Sequence, residues 1–132
     1  MTDLQQAQQN KVAPWTTIFR EEPSYVVFRD AYPVTHGHLL FVPKWNTTVC
    51  ILDCYEAATE LGEFLRSSGE CDGYNIGINR GAAAGQTVMY PHVHFIPRRS
   101  GDCADPIGGV RGVIPGQANY RVQTYQRPID AE

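Results

Sequence analysis

Two segments in the second half of the chain alternate between apolar and polar residues, and this pattern restricts each of them to a β-strand. Residues 74 to 79 alternate at a period of two, and residues 88 to 96 do so again after a glycine- and alanine-rich loop at 80 to 85. Successive side chains of a strand point to opposite faces of a sheet, so alternation is typical of strands. We therefore predict two adjacent strands, joined by this loop, as the core of a sheet.

Shorter patterns predict three more strands and one helix. Apolar residues at 18 to 19 and at 25 to 28 flank a charged connection that contains Pro23, which predicts a hairpin. Residues 38 to 43 form an apolar run that is short enough for a buried strand, beginning at His38. Apolar side chains recur every three or four residues from 54 to 68, with Asp53 as a candidate N-cap and Gly69 beyond the end. The predicted fold class is α+β, with a five-stranded, mostly antiparallel sheet and one main helix.

The length of 132 residues and the 42% hydrophobic content indicate one domain. We assign residues 15 to 132 to this domain and expect the polar, glutamine-rich residues 1 to 14 to be flexible. The tail after residue 100 is rich in glycine and proline, so it is predicted to be mostly loop, with an edge segment at 120 to 125.

Charge and hydropathy limit the classes of partner and the location. The net charge is −3 and the basic residues are dispersed, which argues against binding of a nucleic-acid polymer. No signal peptide and no apolar run of membrane-spanning length is present, so we expect a cytoplasmic protein that does not bind a membrane. The four cysteines contain no C-x-x-C spacing, and we interpret them as reduced, packed thiols.

All four histidines occur in two His-x-His pairs, His36/His38 and His92/His94. On a strand, Tyr90, His92 and His94 share one face and form a polar row. Three interpretations of this row are open: structural histidines satisfied by backbone or a carboxylate, a metal site built from both pairs, or nucleophilic catalysis on phosphorus. No acidic residue lies between 86 and 98, and two arginines follow the second pair, which disfavours the metal.

In the third interpretation a neutral imidazole attacks phosphorus and forms a phospho-histidine, from which water or another acceptor takes the group. Backbone N–H groups of Gly85, Gln86 and Thr87, together with the Gln86 amide, would stabilise the anionic oxygens, as glycine-rich anion-binding loops do.

An ordered set of motifs resembles the histidine triad (HIT) family of nucleotide hydrolases and transferases. The central match is Gly85-Gln86-Thr87-Val88, followed by His92 and His94 at alternate positions and then by Ile96-Pro97-Arg98-Arg99. Residues 28 to 30, 33 to 40 and 102 to 120 are similar to a bacterial branch described as dinucleoside tetraphosphate hydrolases. The resemblance covers the chain from about Ile18 to Tyr120.

The resemblance implies a nucleotide hydrolase that acts on the α-phosphate of a nucleoside 5′-phosphate derivative, either a dinucleoside polyphosphate or a phosphoramidate. It makes His92 the nucleophile of a nucleotidyl-histidine intermediate, with His94 in the phosphate site and His38 supporting the nucleophile. No metal or cofactor is required, although a divalent cation can accompany a polyphosphate substrate. The implied partners are a purine nucleotide and a second copy of the chain, whose half-sheet would complete one continuous sheet.

Seven further positions match family residues that contact the nucleotide. The resemblance places the ribose hydroxyls at Asp30 and the base in an apolar slot at Phe28 and Leu40. It places the phosphates or the leaving group at the remaining four positions, which are Asn79, Gln86, Thr87 and Val88.

Three positions depart from the usual family pattern. Tyr90 stands where the first histidine of the triad is expected, and a phenol does not titrate near neutral pH as an imidazole does. An alternative is therefore a nucleotide-binding or sensor protein with weakened catalysis. Pro91-His92 resembles the Pro-His pair of the nucleotidyltransferase branch, so a nucleotidyltransferase is a second alternative. His36 replaces a more usual proline, as a surface residue or as an added proton donor.

Overall fold

The computed structural model describes residues 1 to 122, and the chain divides into two compact units, Met1–Arg99 and Ser100–Glu132. In the described residues, the first unit contains both α-helices and all five strands. These elements are α1 (Asp3–Gln9), β1 (Ile18–Glu21), β2 (Tyr25–Arg29), β3 (Leu39–Pro43), α2 (Thr48–Ser68), β4 (Gly73–Ile78) and β5 (Val93–Arg98). Neither helix of this described part is long and apolar enough to cross a membrane.

The five strands form one sheet in the order β1-β2-β3-β5-β4, and every neighbouring pair is antiparallel. The prediction of a five-stranded antiparallel sheet with one main helix is confirmed. The central strand β3 is buried along its whole length, and His38 lies just before it rather than in it. The last strand, β5, is shorter than predicted, because it begins at Val93 and not near residue 88.

One face of the sheet is covered by α2, which is longer than the sequence pattern predicted. The helix begins at Thr48, and the Thr47 hydroxyl caps it by accepting a hydrogen bond from the Cys50 N–H at 3.2 Å. Asp53, the predicted cap, therefore lies inside the helix. The end is as predicted, because Gly69 adopts a left-handed conformation at φ 81°. A Cβ at Gly62 would lie 2.5 Å from the Tyr74 ring, so the absence of a side chain lets α2 approach β4.

The cysteines of α2 are part of this core. Cys50 and Cys54 are both buried, and burial raises the pKa of the Cys54 thiol to about 12. A thiol with such a pKa is protonated at neutral pH and is a poor nucleophile. Cys50, Cys54 and Cys71 are buried thiols, and Cys103 is the exposed one of the four cysteines.

The N-terminal segment, predicted to be flexible, instead contains α1. A capping box between Thr2 and Gln5 begins the helix. Leu4 and Ala7 are buried against the second face of the sheet, and the Leu4 N–H donates to the Lys44 carbonyl at 3.0 Å. The Asp3 carboxylate accepts a hydrogen bond from the Asn46 N–H at 2.8 Å. Two apolar side chains in a glutamine-rich segment are too weak a periodic signal to predict a packed helix from sequence.

The described residues of the second unit have little regular structure, in agreement with the loop predicted there. They form two short 3-10 helices, Gly109–Val113 and Tyr120–Val122. The predicted edge segment at 120 to 125 therefore begins as a 3-10 helix, and its last three residues lie outside the described part.

Candidate active site

His92 and His94 lie beside each other on the face of the sheet that α1 partly covers. His94 is on β5, directly opposite Leu40 of β3 and Gly77 of β4, and His92 immediately precedes β5. The two imidazole centroids are 5.2 Å apart. Both side chains line a cavity of about 520 Å³. Two members of the predicted polar row, His92 and His94, therefore face the cavity, whereas the third, Tyr90, does not line it.

A backbone carbonyl determines the proton position on His92. The Nδ1 atom of His92 lies 2.8 Å from the carbonyl oxygen of Tyr90. Because a carbonyl oxygen can only accept, Nδ1 must carry the proton and donate it. In the neutral imidazole, the proton-free nitrogen with its lone pair is then Nε2.

A second chain of hydrogen bonds orients His94. The Val34 N–H donates to Nδ1 of His38 at 3.1 Å, so a neutral His38 carries its proton on Nε2. This Nε2 lies 2.9 Å from Nδ1 of His94, which must accept the hydrogen bond. The proton of a neutral His94 is consequently on Nε2. The two cavity histidines thus differ at Nε2. This nitrogen is unprotonated in His92, whereas in His94 it carries a proton and can donate a hydrogen bond.

Burial keeps this arrangement neutral. Burial, together with the neighbouring His92 and His38, lowers the pKa of His94 to about 4, against the opposing effect of the Asp30 carboxylate. Burial also lowers the pKa of His38, although the same carboxylate, whose Oδ2 is 3.3 Å from Nε2 of His38, opposes the shift. Both groups are therefore neutral at pH 7, as the hydrogen-bond chain requires.

Six of the seven predicted nucleotide-binding residues line this cavity: Asp30, Leu40, Asn79, Gln86, Thr87 and Val88. The Asp30 carboxylate is held in place, because its Oδ1 accepts a hydrogen bond from the Tyr32 N–H at 2.7 Å. Its side chain is 15% exposed, so it remains open to a ligand.

Gln86 also lines the cavity, but the amide is used differently from the prediction. Its Oε1 accepts from the Gly81 N–H at 2.8 Å, and its Nε2 donates to the carbonyls of Val88 and Met89. The side chain therefore closes the glycine-rich loop on itself, and its N–H groups do not point to a phosphate site.

Four other predicted residues lie outside the cavity wall in the described part of the chain. His38 is buried behind His94, and His36 is exposed, with its carbonyl accepting from Arg99. Phe28 is buried under a neighbouring cavity. The Tyr90 hydroxyl donates to the Pro43 carbonyl at 2.7 Å, and burial raises the pKa of this phenol.

The cavity also contains residues that the sequence patterns did not predict. Trp15 packs on His92 with ring centroids 4.8 Å apart, and Arg29 supplies a positive charge that also lies over the Phe19 ring. Pro14, Thr16 and Thr17 complete this side of the wall. Trp15, the first residue after the polar N-terminal segment, is a sequence signal that could have indicated this side of the site.

Three side chains have the geometry of a partial metal site. The potential ligand atoms of Asp30, His38 and His94 all lie within 4.8 Å of one another. The metal site considered from the sequence used both histidine pairs, whereas His36 and His92 are not part of this group. Nε2 of His38 and Nδ1 of His94 already share a hydrogen bond, so the present arrangement is that of a hydrogen-bonded histidine pair.

Comparisons with known proteins agree with this fold. The model of the HIT domain matches residues 11–101. The fold is that of a histidine triad protein, and the chain belongs to the HIT domain family.

Two curated relatives and one solved structure illustrate the similarity. Adenylylsulfatase HINT3 of Arabidopsis thaliana is 31% identical over 63% of this chain and 46% of its own length. The asymmetrical bis(5′-nucleosyl)-tetraphosphatase of Schizosaccharomyces pombe is 28% identical over 67% of this chain and 52% of its own length. The chain thus spans about half the length of these relatives. A zinc-bound histidine triad family protein from Mycobacterium smegmatis is 29% identical, with a TM-score of 0.62 over 73% of this chain and 76% of that one.

The lowered pKa of His94 predicts a loss of stability in mild acid. In the unfolded chain His94 binds a proton near its ordinary pKa of 6.5, whereas the folded chain binds it only near 4. Between these values the unfolded state binds more protons, so the free energy of unfolding falls as the pH falls. We expect His94→Asn to reduce the drop in Tm between pH 7 and pH 5. His36→Asn, at an exposed histidine, is the control, and an unchanged drop in His94→Asn would contradict the assignment.

Proposed function

We propose that this protein hydrolyses nucleoside 5′-phosphate derivatives at the α-phosphorus, through a nucleotidyl intermediate on His92. The observation that carries the proposal is the hydrogen bond from His92 Nδ1 to the Tyr90 carbonyl. It leaves the Nε2 lone pair as the nucleophile in a cavity of about 520 Å³. The proposed reaction belongs to the dinucleoside polyphosphate or phosphoramidate class.

The reaction has two steps with one bond exchanged in each. In the first, Nε2 of His92 forms a bond to the α-phosphorus, and the bond from phosphorus to the leaving group breaks with its electron pair. The imidazole becomes a cation in this step, and the Tyr90 carbonyl stabilises it through the Nδ1–H. In the second, water forms a bond to phosphorus and loses a proton, the bond to Nε2 breaks, and a nucleoside monophosphate leaves.

His94 is assigned the role of hydrogen-bond donor to the phosphoryl oxygen or to the leaving group. Its Nε2–H is available because Nδ1 accepts from His38. A donor directed at the reacting group stabilises the charge that develops on oxygen during the reaction. The side chain of Arg29 at the cavity wall adds a positive charge that attracts an anionic substrate.

The substrate class follows from the residues around the histidines. Asp30 is a fixed carboxylate that can accept two hydrogen bonds from vicinal ribose hydroxyls, and Leu40 supplies apolar surface next to His94. The names of two relatives, an adenylylsulfatase and a dinucleoside tetraphosphatase, support a nucleoside 5′-phosphate bearing a good leaving group.

Removal of the nucleophile is the direct test of this mechanism. We expect His92→Ala to lose more than the roughly 10²–10⁴-fold in kcat that removal of a general acid or base costs. Release of AMP from diadenosine polyphosphates and adenosine phosphoramidate is measured with and without a chelator. His36→Ala, at a histidine outside the cavity, is the matched control. Full turnover by His92→Ala contradicts the mechanism, and activity that the chelator abolishes favours a metal-dependent reaction instead.

The geometry around residue 90 supports retained catalysis despite the missing first histidine. The contact with His92 comes from the carbonyl of Tyr90, which any residue at this position would supply. The phenol points to the Pro43 carbonyl and packs among apolar residues of the second sheet face. The side chain therefore acts as a structural anchor for the backbone that orients the nucleophile.

Substitution of Tyr90 separates this interpretation from that of a sensor protein with weakened catalysis. Tyr90→Phe removes the hydrogen bond to Pro43, so we expect a loss of about 1 kcal/mol in the free energy of unfolding. Its kcat/KM is expected to stay at the wild-type value, because the carbonyl remains. Urea unfolding and the AMP-release assay measure the two quantities. An increase of orders of magnitude in turnover by Tyr90→His would favour the sensor protein.

We also propose that two copies of the chain join through α2 and the β4 edge. Val49, Leu52 and Phe64 of α2 are each more than half exposed. Among the described residues 1 to 122, β4 pairs with β5 on one side only, which leaves its other edge available to a strand of a second copy. A large apolar surface next to a free strand edge is typical of an interface between subunits.

Light scattering tests this assembly. We expect a mass of about twice the 14.7 kDa of one chain for the wild type. Leu52→Glu places a charge in the apolar surface and is expected to shift the mass towards one chain. Gln6→Glu, an exposed position on α1, is the control. A wild-type mass of a single chain at micromolar concentration would contradict the proposal.

A further inference from the structure

Trp15 is an aromatic side chain that packs against the proposed nucleophile, His92. Its indole is tilted by 56° to the His92 imidazole, with centroids 4.8 Å apart, and its centroid is 6.0 Å from that of Phe28. The side chain is half-buried, so part of the ring remains accessible. An accessible indole beside a nucleophile is a surface that a substrate can contact.

The backbone around Trp15 is held by several interactions. Ala13 is buried among the apolar residues beneath α1, and its N–H donates to the Ala7 carbonyl at 3.2 Å. Pro14 restricts the backbone immediately before the tryptophan. The indole itself packs against the same apolar cluster, which contains Leu4, Phe28 and Leu40 among others. The packed segment therefore holds the ring in place, so the ring loses little conformational entropy when a ligand contacts it.

The indole lies where two cavities meet. Pro14, Trp15 and Thr16 line both the cavity over the histidines and a second one of about 580 Å³. The second cavity has Ile18 and Phe28 in its wall, which are apolar side chains. The indole lies at the boundary between the two cavities. It is therefore contacted by a ligand that has its phosphate at His92 and extends towards either cavity.

We propose that Trp15 is the platform on which the base of the nucleotide stacks, and that it thereby determines substrate preference. This inference rests on the proposed function, because it takes the α-phosphorus to be at His92 and the ribose at Asp30. Tyr32 also lines the cavity that contains His92 and His94, but it is 88% exposed and is not held by packing. Trp15 is thus the aromatic ring that is both accessible and fixed in the described wall.

Stacking on an indole predicts a particular pattern of specificity. Every base has a π-face, so stacking tolerates all of them, but a purine overlaps the indole more than a pyrimidine does. We therefore expect purine nucleotides to bind more tightly than pyrimidine nucleotides, with little discrimination between adenine and guanine.

Intrinsic fluorescence isolates Trp15, because the chain contains only two tryptophans, Trp15 and Trp45. In a Trp45→Phe background, titration with AMP is expected to change the Trp15 emission in a saturable manner, whereas ribose 5-phosphate is expected to leave it nearly unchanged. Trp45 does not line either cavity in the described residues, so its replacement leaves both cavity walls intact.

Substitution of Trp15 then tests its contribution to affinity by calorimetric titration. We expect Trp15→Ala to raise the Kd of AMP about 10-fold or more, and Trp15→Phe to raise it much less, since a phenyl ring can still stack. The Kd of ribose 5-phosphate, which has no base, is expected to be equal in the three proteins. This ligand also reports whether each variant retains a folded phosphate site.

The outcomes separate the platform from the proposed function. An unchanged Kd of AMP in Trp15→Ala, or an equal weakening of AMP and ribose 5-phosphate, overturns the platform and makes Trp15 a structural cover for His92. Absence of AMP binding by the wild-type protein overturns the proposed function itself.

Discussion

The antiparallel pairing of β3 with β5 is the constraint on which the site depends. Its register places Leu40 opposite His94 and Phe41 opposite Val93. Because His38 immediately precedes β3, the same register brings Nε2 of His38 to 2.9 Å from Nδ1 of His94 across 56 residues of sequence. A slip of one residue would turn His94 to the other face, where α2 packs, and would break the hydrogen bond between His38 and His94.

The orienting contacts of the two cavity histidines come mainly from the backbone. The Tyr90 carbonyl determines the proton position on His92, and the Val34 N–H determines it on His38 and, through it, on His94. Backbone groups do not change when a side chain is substituted, provided the local conformation is kept. This explains physically how a tyrosine can stand in the first position of the triad while the nucleophile keeps its geometry.

The two faces of the sheet have different roles because they are covered differently. The face under α2 is a closed apolar core that includes Phe41, Val93 and Phe95. On the other face α1 and the segment after it cover β2 and β3 in part, and the cavity opens where this cover ends at Trp15. The N-terminal segment therefore belongs to the site as a wall, and its packing through Leu4 and Ala7 positions the indole next to His92.

Much of the fold and of the site was predictable, because local patterns report local structure. The alternation at 74 to 79 and the apolar run at 38 to 43 predicted β4 and β3, and Gly69 predicted the end of α2. The start of α2 and the existence of α1 were not predicted, since the apolar periodicity began only at residue 54, with Asp53 as its candidate cap, and Leu4 with Ala7 is a weak pattern. Asp30 and His94 line the cavity, whereas the Gln86 amide, expected to bind phosphate oxygens, is used by its own loop.

The sequence by itself determined which chemical groups are available and which of them share a strand face, because side-chain type and the period of two are local properties. It placed His92 and His94 on one face and identified Asp30 as a carboxylate that could meet them. Only the tertiary structure decided which nitrogen of each imidazole carries the proton, that the Tyr90 side chain turns away while its carbonyl turns in, and that Trp15 joins the site. These features depend on contacts between residues far apart in the chain, and such contacts exist only after the sheet has paired and α1 has packed on it.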